Sequence, residues 1–236
     1  YYEDFNLGFS TRTFYEKIDT DSTASARQQA QEGNYSDAFF NSRFDYDKRN
    51  QKFRPDDGFR STYTLDIPLV SETYTLTNRY NFQKYTSFYN NNVSSFGIYL
   101  EAANSIKGDD VKLTERLYIP TKKLRGFERG KVGPKDGTDF IGGNYIATIN
   151  ATTNIHIIFQ NFQNLDAIFF LDVGNIWGVD YDSSLSDKSD DIRSAIGIGV
   201  DWFTPVGPLN FSLASPLSKS STDKTETFRF NLGTTF

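Results

Sequence analysis

The segment Thr225-Glu-Thr-Phe-Arg-Phe-Asn-Leu-Gly-Thr-Thr-Phe236 alternates mostly apolar residues with polar or small ones. Successive side chains of a β-strand point to opposite faces, so this pattern predicts two different faces. One face holds Glu226, Phe228, Phe230, Leu232, Thr234 and Phe236. The other holds Thr225, Thr227, Arg229, Asn231, Gly233 and Thr235. A soluble domain would turn the apolar face toward a core, whereas a transmembrane barrel would turn it toward lipid.

The composition favours strands that contact a membrane. Hydrophobic residues make up only 37% of the 236 residues, yet 22 Phe and 14 Tyr raise the aromatic share to 16%. Aromatic rings suit strands and membrane–water interfaces. No apolar run approaches the ~20 residues of a transmembrane helix. Alternating barrel strands need no such run, because each strand averages to a near-neutral hydropathy.

Charge and cysteine content exclude several classes of function. The chain has no cysteine, which excludes a disulfide framework and a thiolate metal site. Its net charge of -5 provides no basic surface for nucleic acid. We therefore expect no nucleic-acid partner, no metal and no cofactor. No signal peptide is visible at Tyr1, so we expect residues 1–236 to be a fragment of a longer protein.

Period-two segments predict an all-β, antiparallel fold of ten strands with no convincing helix between them. The predicted strands are 3–16, 33–48, 58–70, 72–87, 93–106, 141–154, 165–178, 191–204, 207–217 and 224–236. Tight turns are predicted at 56–58, 68–72 and 204–207. Longer hydrophilic connections are predicted at 17–33, 49–57, 107–140, 178–191 and 217–224.

Short turns at one end and long loops at the other are typical of an outer-membrane barrel. The strand 191–204 supports this interpretation, because its apolar residues share one face and its charged and small residues share the other. The apolar face holds Ile192, Ile196, Ile198, Val200 and Trp202, and the opposite face holds Arg193, Ala195, Gly197, Gly199 and Asp201. A half-buried soluble sheet would show the same alternation. The loop asymmetry and the aromatic content favour the membrane barrel.

The longest connection, 107–140, carries the most specific pattern. It contains Leu124-Arg-Gly-Phe-Glu-Arg-Gly130 followed by Val132-Gly-Pro-Lys-Asp-Gly137, a composition that suits a shaped loop folded into a barrel lumen. A buried arginine needs a partner. Asp172 is the candidate, because it falls on the inward face of its strand. The alternative is that Arg125 is a solvated loop residue and Asp172 an ordinary lumen carboxylate.

Six segments occur in an order that points to a family. They are Arg125-Gly-Phe127, Gly133-Pro-Lys135, Ile141-Gly-Gly-Asn144, Leu171-Asp-Val-Gly-Asn-Ile-Trp177, Trp202-Phe-Thr-Pro-Val-Gly-Pro-Leu209 and the terminal strand ending in Phe236. Over about residues 115–236 their order and spacing resemble those of the outer-membrane barrel-assembly insertase family (BamA-like).

The resemblance implies a sixteen-stranded barrel preceded by periplasmic repeat domains. Residues 1–236 would form its C-terminal part from about the seventh strand, as a barrel segment or an open curved sheet. It also implies that Arg125, Gly126 and Phe127 enter the lumen and that Arg125 pairs with Asp172. Many members have a Glu where this chain has Asn150, which could accept a hydrogen bond but carries no charge.

The implied function is the assembly and insertion of β-barrel proteins into the outer membrane, without ATP or covalent chemistry. The last strand would form half of a lateral seam at which a client strand pairs. Its site residues would be Phe228, Phe230, Leu232, Gly233 and Phe236, of which the terminal Phe236 is either part of the seam strand or the signal by which this protein was itself inserted. Gly233 would ease opening or accommodate a neighbouring ring. The implied partners are unfolded outer-membrane clients, accessory assembly lipoproteins and outer-membrane lipid.

Three other functions fit parts of the sequence, and one acidic loop has two interpretations. A polypeptide-secretion pore of the same superfamily would share the RGF loop, and a passive porin would share the strand pattern. A barrel enzyme would have to use His156, the only histidine, and we expect no enzyme. The acidic stretch 180–191 is either a cation-binding loop or a solvated surface loop.

Overall fold

Ten long strands form one antiparallel sheet, in which they follow one another in chain order. The structure is a computed structural model that describes residues 3–88, 92–108, 110–159, 161–162, 164–180, 186–187, 191–205 and 207–232. The strands of this sheet are β1 Phe5–Ile18, β2 Gly33–Asp47, β3 Asp57–Val70, β4 Thr75–Phe88, β5 Asn92–Ser105, β8 Tyr145–Ile155, β9 Leu165–Trp177, β11 Arg193–Thr204, β12 Gly207–Ser218 and β13 Phe228–Leu232. The ten-strand prediction is confirmed.

The sheet is an open meander. Each strand pairs with the next large strand along the chain, and β1 and β13 are its two edges. A second, small sheet joins β6 Lys135–Asp136, β7 Asp139–Phe140 and β10 Ser186–Asp187. It links two connections at the same end of the large sheet. The sequence did not predict these three short strands.

The large sheet is inside out relative to a soluble domain. On β13, Phe228, Phe230 and Leu232 are 54%, 50% and 68% exposed, whereas Arg229 between them is buried. On β11, Ile198 and Trp202 are likewise exposed, whereas Arg193 is fully buried. The apolar face is therefore the outer one and the polar face the inner one, as in a membrane barrel.

The connections differ between the two ends of the sheet. One end, the long-loop end, carries connections 19–32, 71–74, 106–144, 178–192 and 219–227. The other, the short-loop end, carries connections 48–56, 89–91, 156–164 and 205–206. Two details of the prediction were wrong: the tight turn near 68–72 lies at the long-loop end, and the hydrophilic stretch 49–57 lies at the short-loop end. Short connections mark the periplasmic end in bacterial barrels.

Two predicted strands, β8 and β13, begin four residues later than expected. β8 begins at Tyr145 because Gly142 has a φ of +72°, which interrupts the extended backbone. β13 begins at Phe228 because Thr225 pairs with Phe127 in the long loop. Glu226 therefore does not share the outer face with Phe228. It bonds to Arg229 instead.

A short helix, α1 Ala26–Gln29, occupies the first long connection, so the prediction of strands alone was wrong there. The Ser25 hydroxyl caps this helix by accepting a hydrogen bond from the Gln28 amide. Among the described residues, no helix is long and apolar enough to cross a bilayer.

The hydrophobic core lies between the sheet and the connection 106–144, which we call the RGF loop. Tyr99, Ala103, Ile146, Ile176 and Ala195 from the strands pack there against Val111, Leu117, Leu124, Phe127 and Val132 from the loop. The strands and the loop each supply five residues to this cluster, so the loop provides about half of its side chains. The RGF loop therefore forms one side of this hydrophobic core.

Gly197→Ala should destabilise the sheet, because a Cβ at this position of β11 would lie 2.4 Å from the Leu213 carbonyl oxygen on β12. The neighbouring backbone would have to move, at a cost of about 1–3 kcal/mol. Urea unfolding and heat-modifiable gel migration of the folded barrel measure this effect. Gly8→Ala is the control, since its nearest contact would be an ordinary 3.8 Å to Arg43 Cβ. Equal stability of the two variants would contradict the prediction.

Candidate functional site

The side chain of Arg125 pairs with Asp172 on the inner face of β9. Arg125 Nε lies 2.7 Å from Asp172 Oδ2, and its Nη2 lies 2.8 Å from Oδ1, so the contact is bidentate. The backbone amide of Arg125 also donates to Oδ2 at 3.0 Å. The Asp172 side chain is fully buried and that of Arg125 is 11% exposed. The two residues that the sequence suggested as partners are thus in direct contact.

Two further groups hold the guanidinium in place. Its carbon lies 3.5 Å from the centre of the Phe170 ring, a stacked cation–π contact. Its Nη2 also donates to Thr152 Oγ1 at 3.1 Å. Both residues belong to the inner wall, on β9 and β8. The charge is therefore enclosed by a carboxylate, a hydroxyl and an aromatic face.

Asn150 contributes to this site as a donor. Its amide nitrogen donates to Asp172 Oδ1 at 2.9 Å and to the Lys123 carbonyl oxygen at 2.8 Å. The sequence interpretation considered only that Asn150 could accept a hydrogen bond, whereas in the structure it donates two. Both of its partners are acceptors, so only the NH₂ group of the amide can serve them. Asn150 thus joins the carboxylate to the loop backbone.

Gly126 and Phe127 place the loop directly against the wall. Gly126 has a φ of +87°, and a Cβ there would lie 3.1 and 3.2 Å from the Cβ atoms of Ala195 and Ala214. Both the backbone conformation and the close approach therefore require glycine. Phe127 is 2% exposed within the core. Full burial of such a ring contributes roughly 1.5–3 kcal/mol.

The loop lysines face a cavity of about 950 Å³ beneath the RGF loop. Lys123 Nζ donates to Asn81 Oδ1 at 2.9 Å. Burial lowers the pKa of Lys123, while nearby Asp172 raises it and Arg125 lowers it further. Burial likewise lowers the pKa of Lys122, which Asp201 partly offsets. The cavity is lined largely by amide, hydroxyl and charged side chains, as expected of a wet lumen.

A second buried ion pair escaped the sequence interpretation. Arg193 Nε lies 2.8 Å from Asp223 Oδ2, and both side chains are fully buried. Asp223 also accepts from the amides of Gly133 and Ser220. Arg193 stood on the predicted inner face, but nothing in the sequence indicated its partner in the connection 219–227. The sequence likewise gave no indication of the partners of Arg229, which include the Thr121 and Phe127 carbonyl oxygens of the RGF loop.

The other predicted site residues lie away from the Arg125–Asp172 pair or outside the described residues. Phe228, Phe230 and Leu232 lie on the outer face of β13, whereas Gly233 and Phe236 lie outside the described residues. Most of the acidic stretch 180–191 also lies outside them. Asp180, which is described, accepts from the Val111 amide at 2.8 Å. Within the part of the chain that the structure describes, no group of three or more His, Cys, Asp or Glu residues is arranged to hold a metal ion.

An outward apolar face, a polar inner face and an ion-paired loop seated on that inner face define an outer-membrane β-barrel with an occupied lumen. A family model described as the Omp85 superfamily domain matches residues 1–236. The chain belongs to the Omp85 superfamily.

Curated relatives share this region of the sequence. The chain is 30% identical over 131 residues to the outer membrane protein assembly factor BamA of Neorickettsia risticii, covering 55% of this chain and 18% of that protein. It is 29% identical over 143 residues to BamA of Neisseria meningitidis serogroup B, covering 48% and 17%. The chain thus spans less than a fifth of the length of these relatives.

A solved structure has the same fold. The crystal structure of BamA from Haemophilus ducreyi lacking POTRA domains 1–3 matches 96% of this chain and 49% of that chain, with a TM-score of 0.74 and 22% identity. The family, the relatives and this fold place the chain in the bacterial outer membrane as an integral β-barrel.

Asp172→Asn should release the RGF loop, because it leaves the Arg125 guanidinium buried without its counter-charge. Breaking a buried pair in this way costs about 3–5 kcal/mol. Trypsin cleavage within 122–131 should become faster and urea unfolding should occur at lower concentration. Asp139→Asn is the control, an exposed carboxylate of the same loop. Undiminished protease resistance in Asp172→Asn would refute the anchoring role.

Asn150→Asp tests the donor role with almost no change of shape. It removes the two donated hydrogen bonds and adds a second negative charge beside Asp172, so we expect a loss of about 1–3 kcal/mol. Urea unfolding measures this loss. Asn154→Asp, on the same strand and lining the same cavity, is the matched control. A variant at 150 as stable as the one at 154 would show that Asn150 does not join wall and loop.

Proposed function

We propose that this chain takes part in the assembly and insertion of β-barrel proteins into the outer membrane. The observation that carries the proposal is the RGF loop, anchored to the inner wall by Arg125 and Asp172 and in contact with the segment that enters β13. The relatives named as outer membrane protein assembly factors support this function over a secretion pore or a passive porin.

The proposed mechanism depends on the edge of β13. In hydrocarbon, each unpaired backbone group costs several kcal/mol, so an edge strand in a membrane strongly favours pairing. Among the residues that the structure describes, the only strand paired with β13 is β12. A client strand would add to the free side of β13 by backbone hydrogen bonding. This step needs no covalent chemistry and no cofactor, and we propose that the chain is not an enzyme.

The proposed partners follow from this mechanism. Unfolded outer-membrane proteins would be the clients, and lipid would contact the exposed aromatic face. Accessory assembly lipoproteins are proposed from the family resemblance. We also propose that residues 1–236 form the C-terminal part of a larger barrel domain that follows periplasmic repeats. The matched structure supports this, since the chain covers 49% of it.

Reconstitution tests the proposed activity. The natural protein that contains this chain, placed in phospholipid vesicles, should convert a urea-denatured outer-membrane protein to its heat-modifiable folded form faster than empty vesicles do. Conversion at the rate of empty vesicles would refute the proposal.

Photo-crosslinking tests the seam. A benzophenone side chain in place of Phe230 on β13 should capture a client during assembly, because the seam is where the client pairs. The same group in place of Phe169 on β9 is the matched control, since Phe169 is a similarly exposed ring on the outer face. Equal capture at both positions would indicate general contact with the barrel surface and would exclude a specific seam at β13.

A further inference from the structure

We propose that Arg229 is a positioning residue that couples the RGF loop to the seam strand β13. Through it, the seating of the loop controls where the seam edge lies. This inference rests on the proposed function, because it assigns a role in presenting that edge to a client. The contact itself is independent of the proposed function.

The loop and the entry to β13 form a short backbone ladder. The Glu226 amide donates to the Gly126 carbonyl at 3.1 Å, and the Glu128 amide donates to the Lys224 carbonyl at 3.0 Å. These two bonds flank the antiparallel bridge between Phe127 and Thr225. A third bond joins the Lys224 amide to the Lys131 carbonyl at 3.0 Å. The RGF motif is thus paired with the residues immediately before the seam strand.

Arg229 extends this contact into β13 itself. Its Nη1 donates to the Thr121 carbonyl at 2.9 Å, and its Nη2 donates to the Phe127 carbonyl. Its Nε donates to Glu226 Oε2 at 2.8 Å. The side chain is only 9% exposed. One guanidinium therefore joins two separate points of the loop, six residues apart, to one residue of the seam strand.

The chemistry of this position favours arginine. Two carbonyls and a carboxylate surround the group, and only a planar fork with several donors can serve all three at once. A lysine would present one ammonium group and a glutamine one amide. The outer neighbours of Arg229 on the strand, Phe228 and Phe230, are exposed. The strand is thus held from its inner side while its outer side faces lipid.

The same loop is anchored to the wall at Asp172. A change that unseats Arg125 therefore moves the carbonyls of Thr121 and Phe127, which lie on either side of Arg125 in the loop. Because Arg229 binds both carbonyls, a displacement of these carbonyls also displaces β13. The two sites form one connected network, in which Arg229 is the final link.

Hydrogen exchange in the natural full-length protein tests the coupling. Arg229→Gln should speed exchange of the β13 amides bonded to β12 roughly tenfold or more, because the strand opens locally more often. Arg129→Gln is the matched control, since Arg129 is an exposed arginine of the same loop. Arg229→Lys is the second variant if Arg229→Gln does not fold, because lysine keeps the charge but cannot serve all three acceptors.

A double-variant comparison separates coupling from local stability. Asp172→Asn should speed exchange in β13 when Arg229 is present and should have a much smaller effect in the Arg229→Gln background. Equal effects in the two backgrounds would overturn the coupling. Unchanged β13 exchange in both Arg229 variants would also overturn it.

Client insertion in vesicles tests the consequence for function. We expect Arg229→Gln to slow insertion several-fold, because an unpositioned edge presents its hydrogen bonds in register less often. Arg129→Gln should insert clients at the normal rate. Faster exchange with unchanged insertion would overturn the positioning role. Failure of the unaltered protein to insert a client would refute the proposed function alone, and the exchange results would still decide the contact.

Discussion

The buried ion pair between Arg125 and Asp172 determines how the rest of the site is arranged. Removing two charges from water costs several kcal/mol per ion, and the attraction between them repays this only when the geometry is good and further hydrogen bonds are made. Here the carboxylate is also bonded to Asn150 and to the Arg125 amide. Such a pair contributes little net stability, but it permits one seating of the loop. Gly126 and Phe127 can make their close contacts only in that seating.

The inside-out sheet explains why a loop must supply a core. Strands that turn their apolar residues toward lipid leave a polar wall on the inner side, where apolar contacts are few. The RGF loop brings Leu117, Leu124, Phe127 and Val132 to that wall and packs them against its few inward apolar side chains, which include Tyr99, Ile146 and Ile176. Ionic and apolar contacts therefore contribute to this fold in different ways. The ion pairs fix the position of the loop, and the apolar side chains provide the favourable burial.

Strand positions and strand faces could be predicted from sequence because alternation is a local property. The same rule correctly placed Phe228, Phe230 and Leu232 outside and Arg193 inside. It failed at Glu226 and at the start of β13, where pairing with a loop about a hundred residues away replaces the regular strand. The donor role of Asn150 and the partners of Arg229 also depend on distant backbone carbonyls. Every residue has a backbone carbonyl, so the sequence does not show which carbonyl accepts a hydrogen bond. The opposite charges of Arg125 and Asp172, in contrast, can be read from the sequence.

The small sheet of β6, β7 and β10 has a consequence for access to the lumen from the long-loop end. It ties the RGF loop to the connection 178–192 at the long-loop end, so two external loops are joined above the lumen. The cavity beneath is bounded on that side by Lys122, Lys123 and Arg125 of the loop. A solute that approached the lumen from the long-loop end would therefore meet these two joined connections before it reached the cavity.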